Sequence, residues 1–209
     1  MKKLENYLNE TILPKYNEAD KGHDIRHINN VYSFAENVRS RFFENEVNKA
    51  MLKVAVYYHD LACKEDRENH HIKGSEYVLN DTNLRQWFTE NQINIIADAV
   101  MNHRASSGNP TTTIAKILYD ADRSEVFLER ILERSYEYYI GKGFTDESVI
   151  KKNMYDHIKS KYGNGGYAKM ILSESLAEIE PIIKRTKQII SNEDEFLDKI
   201  DKAISNYRR

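Results

Sequence analysis

The chain has 209 residues, with 31 Lys and Arg against 33 Asp and Glu, a formal charge of −2, and only eight glycines and three prolines. That balance argues against a basic nucleic-acid coat or a basic membrane-surface helix, and the length suits one compact domain with a sizeable core. One cysteine, Cys63, leaves no disulfide within the chain; with an acidic, amphipathic N-terminus and no apolar run near the roughly 20 residues of a membrane helix, the expected compartment is cytoplasmic.

Scarce helix breakers and apolar residues at helical spacing predict an all-α fold with no strand alternation. Leu4, Tyr7, Leu8, Thr11 and Ile12 mark a first helix that loosens at Pro14. NEADKGHD reads as a polar turn, with Asp24 capping a helix that runs to about residue 43. A third helix over 46–62 is apolar almost all round, as a buried helix should be. KEDRENHH reads as a charged loop before a short helix at 74–80. Another helix spans 89–102 and is broken by RASSGNP. Thr111 or Thr112 then caps a long helix reaching 139. After the turn GKGFTDE, Thr145 caps a helix to 161, and YGNGG leads to a helix over 167–190. Ser191 and Asn192 offer caps for a last helix. Residues 1–209 are expected to form a single domain, with a core over 20–130 and the helices of 145–209 packed on it.

The informative residues are polar ones standing on apolar stripes. His27 heads the face His27, Val31, Phe34, Ala35 and Val38. His59 and Asp60 interrupt VAVYYHDLA, one turn after Ala55 and Val56. Asp122 follows the stripe of Ile114, Leu118 and Ala121. A buried carboxylate must be paired. One histidine on an apolar face is usually a satisfied core residue. Two histidines and two aspartates on three helices instead satisfy one another through a shared divalent cation. Imidazole with carboxylate suits Zn, Mn, Fe, Ni or Co, and carboxylate with water suits Mg. Helix neighbours point about 100° apart, so His59 and Asp60 touch one ion only if it lies between their directions.

These segments resemble the HD-domain superfamily of metal-dependent phosphohydrolases. GHDIRHINNV is similar to the GHDxxHxxRV opening of a subgroup of small bacterial HD hydrolases. VAVYYHDLA is similar to the apolar-run-then-HD signature, and LYDADRSEVF to DADRLD. The resemblance covers residues 20–130 and implies an HD-like helical bundle with His27, His59, Asp60 and Asp122 as metal ligands. It also implies a helix opened by a histidine four residues before a Gly-small pair, which His70 fits in HHIKGSEYV. His103, in VMNHRASSG, matches a further histidine of some branches. The earlier HD, His23–Asp24, is not the name-giving pair: Asp24 caps a helix and His23 lines the pocket mouth. Asn30 replaces an arginine of the pattern and Ser124–Glu125 its Leu-Asp, departures that bear on substrate choice more than on metal.

The implied activity is hydrolysis of a phosphate ester or anhydride by a metal-activated water, with Asp60 at the ion and a nucleotide as the implied substrate. The transition state is anionic, and Arg123 beside Asp122 is the first candidate to hold it, since its planar fork suits phosphate oxygens. Lys73, Lys64 and Arg104 are weaker phosphate candidates. His70 is the candidate general acid, with His71 as its substitute. His103 is read as a substrate contact, as an outer partner of a ligand or, with His70, as a ligand to a second ion. YGNGGYAKM lacks the GK[ST] ending of a phosphate loop and reads as a turn. Two other functions compete: an HD-fold iron oxygenase using two irons and the additional histidines, and a non-catalytic nucleotide- or metal-binding regulator. The expected partner is a small phosphorylated molecule, with no membrane and no stable nucleic-acid binding; a homo-oligomer stays open.

Overall fold

The computed structural model describes residues 2–18 and 22–207, and among these every regular element is helical. Residues 19–21 of the polar turn expected at 17–24 lie outside the described residues. Contacts divide the chain into two compact units: Met1–Ser124 with Met170–Ser175, and Glu125–Lys169 with Leu176–Arg209. The boundary falls just past the predicted ligand Asp122.

In the first unit, α1 (Lys2–Tyr7) runs into a π turn (Leu8–Ile12) and a 3-10 stretch (Leu13–Glu18). Then come α2 (Ile25–Phe42), α3 (Lys49–Tyr58), α4 (His70–Asn80), α5 (Glu90–Met101) and α6 (Thr113–Ala121). Helices α2, α3, α5 and α6 pack on one another, and α4 lies along α5. The predicted stripe of α2 is inside: Val31, Ala35 and Val38 are buried with Leu52, Val56, Ile96, Val100 and Leu118. Each such aliphatic side chain contributes about 1.5–3 kcal/mol of burial, Ala less.

Side-chain caps account for several helix starts, and of these Thr112 was expected from the sequence. Asn48 accepts from the Ala50 and Met51 N–H groups, Thr89 forms a capping box with Gln92, and Thr112 accepts from Ala115. Two helices end earlier than apolar periodicity predicts. α3 stops at Tyr58, not 62, and continues as turns with i→i+3 bonds from Leu61 N–H to Tyr58 and from Cys63 N–H to Asp60. α6 stops at Ala121, not 139, where Arg123 N–H bonds to Asp120 and Ser124 N–H to Ala121. Such tightening satisfies terminal carbonyls, and here it turns polar side chains inward. α4 starts at His70, so the last two residues of the expected charged loop, His70 and His71, are helical.

The second unit contains α7 (Leu128–Gly141), α8 (Glu147–Tyr162), most of α9 (Ser173–Ser191) and α10 (Glu193–Tyr207). Its own core includes Leu128, Leu132, Ile150, Met154, Phe196 and Ile200. Asp146, next to the expected Thr145, caps α8 through the Ser148 and Val149 N–H groups. No helix among the described residues is long and apolar enough to cross a membrane.

Candidate metal centre

Helix ends deliver the polar side chains. His27 lies in the first turn of α2, where the Asp24 carboxylate accepts its backbone N–H at 2.9 Å. His59 and Asp60 directly follow α3, His70 opens α4, His103 stands just past α5, and Asp122 follows α6. Four of these residues, His59, Asp60, His103 and Asp122, therefore lie at the C-termini of three helices, where the helix dipole favours a cation.

Three of the histidines use one device. The Nδ1 atoms of His59, His70 and His103 face the carbonyls three residues earlier: Val56 at 2.7 Å, Arg67 at 2.8 Å and Val100 at 2.6 Å. A carbonyl only accepts, so each Nδ1 carries a proton and, in the neutral ring, Nε2 presents a lone pair.

Those lone pairs meet Asp60 from two sides. Asp60 Oδ2 lies 3.4 Å from His27 Nε2 and 3.2 Å from His59 Nε2. Asp122 Oδ1 lies 3.4 Å and 3.8 Å from the same two nitrogens. Asp60 Oδ1 instead lies 3.4 Å from His70 Nε2 and 3.5 Å from His103 Nε2, which face each other at 3.1 Å. In each group the candidate ligand atoms lie within 4.8 Å of one another.

This donor set fits two divalent ions. Ligands about 2.1 Å from an ion stand about 3.0 Å apart at right angles and about 3.4 Å apart at tetrahedral angles. The separations of 3.1–3.5 Å in the two groups are close to that spacing, and His59 Nε2–Asp122 Oδ1 is longer at 3.8 Å. His59 Nε2 is buried and in no hydrogen bond. The facing lone pairs of His70 and His103 repel unless a cation or proton lies between them.

The electrostatics agree with a cation site. Burial alone would favour the neutral Asp60, yet the surrounding imidazoles, His59 first and then His23, His103 and His27, hold its carboxyl well below the usual range. Burial also opposes charge on Asp122, and His27 and Arg123 outweigh it in the same direction. At His59 burial opposes protonation, while Asp60 and Asp122 raise the imidazole above its ordinary value. Burial pushes His70 down to about 4 against the pull of Asp60, with His103 adding to the drop. Asp122, with 22 % of its side chain exposed, forms the wet edge of the centre.

The other predicted residues fall in different places. Arg123 is buried: Nη2 donates to the His103 carbonyl at 2.8 Å, Nη1 donates to the Tyr119 carbonyl, and the guanidinium lies 3.5 Å over the Tyr119 ring. Lys73 sits one turn beyond His70, half-exposed and 3.7 Å from Asp66. Arg104 donates to the Glu68 carbonyl, and the His71 ring is 5.7 Å from that of His70. His23 has its ring 6.0 Å from His27. Cys63, which sequence reasoning passed over, donates to Asp60 Oδ1 at 3.4 Å. Asp120 was passed over too: it is buried and accepts the Ile171 and Leu172 N–H groups at 2.9 Å each.

Comparison with known proteins agrees with this geometry. The HD-domain family model matches residues 24–126, a span that contains all the candidate ligands. That part of the chain belongs to the HD-domain family. A crystal structure of a predicted HD superfamily hydrolase from an uncultured Thermotogales bacterium is similar at 22% identity, with a TM-score of 0.50 over 76% of this chain and 86% of that one. A crystal structure of a Lactobacillus plantarum protein is similar at 13% identity, with a TM-score of 0.68 over 99% of both chains. At these identities the likeness is one of fold. No curated protein matches the sequence.

Proposed function

We propose that the HD domain of this chain is a two-ion phosphohydrolase acting on a phosphate ester or anhydride, with a nucleotide as substrate. The observation that carries this is the division of Asp60 between two ligand groups, Oδ2 toward His27, His59 and Asp122, and Oδ1 toward His70 and His103. Asp60 would then help to hold both ions. Divalent ions held there would supply an acidified water and a Lewis acid for a phosphoryl oxygen.

The chain's own groups do the rest. His59, His70 and His103 hold their Nε2 lone pairs toward the centre because their Nδ1 protons are bound to carbonyls. With its Nε2 3.4 Å from Asp60 Oδ1 and 3.1 Å from His103 Nε2, His70 is assigned in this reading as a ligand in place of the general acid. His103 moves with it, from substrate contact to ligand. Lys73, half-exposed one turn beyond His70 on α4, is assigned to the substrate phosphate. Asp122 marks the side from which substrate and water enter.

The test is turnover by protein stripped of metal and reloaded with Mn, Mg, Co, Ni, Zn or Fe singly. The substrates are nucleoside mono-, di- and triphosphates and an aryl phosphate, with Asp60→Ala beside the wild type. Metal-dependent release of phosphate or pyrophosphate that Asp60→Ala abolishes is the expected result. Two bound ions with no phosphate release would sink the hydrolase. The paired histidines also suit an HD-fold di-iron oxygenase, and oxygen uptake by the iron-loaded protein would favour that reading instead.

A further inference from the structure

We infer that Arg123 is a positioning residue that ties the two ion subsites together, not a contact to substrate phosphate. The inference rests on the two-ion reading above. Only 6 % of Arg123 is exposed. Nη2 is engaged by the His103 carbonyl and Nη1 by the Tyr119 carbonyl, and the Tyr119 ring covers one guanidinium face at 3.5 Å. The remaining N–H groups, among them Nε, which is buried and makes no hydrogen bond, are enclosed with the rest of the side chain and do not face solvent as a phosphate fork would.

The two carbonyls belong to different arms of the centre. His103 follows α5 and carries a ligand of the His70 group. Tyr119 lies in the last turn of α6, just ahead of Asp122, a ligand of the His27 group. One rigid planar side chain thus sets the distance between α6 and the segment after α5. The direction of the His103 ring is fixed separately, by its Nδ1 bond to Val100. With the ring locked to its own backbone, any shift of that backbone moves Nε2 away from Asp60 and His70. Asp122 Oδ2, 3.8 Å from Nη1, and the nearby Asp120 carboxylate help balance the buried charge. An ammonium at this position would keep the charge but could not span both carbonyls.

The test is a metal titration of wild type, Arg123→Met and Arg123→Lys with Mn, read by calorimetry and by the spin-coupled Mn pair signal. Wild type should take two ions, and failure at that point would sink the two-ion reading on its own. Arg123→Met should bind the first ion as wild type does and the second about 10–100-fold more weakly, with the pair signal lost. Arg123→Lys should fall between the two. If Arg123→Met fails to fold, as judged by its helical melt, Arg123→Lys carries the test, with weaker binding confined to the second ion. The inference is overturned if both ions bind with wild-type affinity, or if both are weakened equally. It is overturned too if metal binding is untouched and only KM rises, since that outcome would mark a phosphate contact.

Discussion

Asp60 gives one oxygen to each ligand group, so substitutions at the centre should not be equivalent. Removing a member of one group should release one ion, and removing Asp60 should release both. We therefore expect His103→Ala to bind one Mn per chain and keep the site formed by His27, His59 and Asp122. His27→Ala should weaken the other ion, and Asp60→Ala should bind neither at concentrations that saturate wild type. Counting ions by elemental analysis after equilibrium dialysis decides it; equal loss in all three variants would mean that the groups do not act separately. His27, His59, Asp60 and Asp122 were legible in the sequence because a polar residue on an apolar stripe demands a partner. The engagement of Arg123 was not, because both of its acceptors are main-chain carbonyls, one of them on His103 and distant in sequence. Residue type carries no trace of such a bond. The same blindness covers the carbonyls of Val56, Arg67 and Val100 that orient the imidazoles.

Helix ends put these residues within reach of one another, and α4 comes close to the end of α3 and to α5 at a glycine. A Cβ on Gly74 would lie 3.0 Å from the Tyr58 carbonyl oxygen and 3.0 Å from Val100 Cγ1. The first neighbour is backbone and cannot swing aside. Gly74→Val should therefore push α4, and His70 with it, off the end of α3, at a cost of about 2 kcal/mol of stability. The checking measurement is the denaturant midpoint, with the slope unchanged, alongside the affinity of the His70 ion. An unchanged midpoint would show that α4 has room to spare. Helix starts were legible to within a few residues where a capping side chain announces them, as at Asp24, Thr89 and Thr112. Two helix stops were not. Apolar periodicity continues past Tyr58 and past Ala121, while the chain actually tightens into turns that aim His59, Asp60 and Asp122 inward. Local propensity favoured a longer helix, and the tertiary arrangement of polar groups overrode it.

At the scale of the molecule, the centre gathers segments that lie far apart along the chain into the first unit. The all-α class follows from the scarcity of Gly and Pro, but the division into two units does not. Its boundary, at Ser124 and Glu125, falls in a run with no linker composition, whereas the glycines of 141–145 mark only a helix–helix turn. The first unit also takes back residues 170–175, whose Ile171 and Leu172 N–H groups end on the Asp120 carboxylate. Its ligands come from α2, the end of α3, the start of α4, the end of α5 and the end of α6, so ions bound there join five helices that the core already packs. A ligand that binds only the folded state adds about 2.7 kcal/mol at 100 times its dissociation constant. For amides that exchange only through opening of this unit, that stabilisation slows exchange by about a hundredfold. Hydrogen exchange should accordingly show the slowest amides of α2, α3, α5 and α6 slowed together when Mn is added to stripped protein. In Asp60→Ala the same addition should change nothing. If Mn slows only the amides beside His59 and Asp60 and leaves the rest of these helices unaffected, the ions bind locally and do not hold the helices together as a unit.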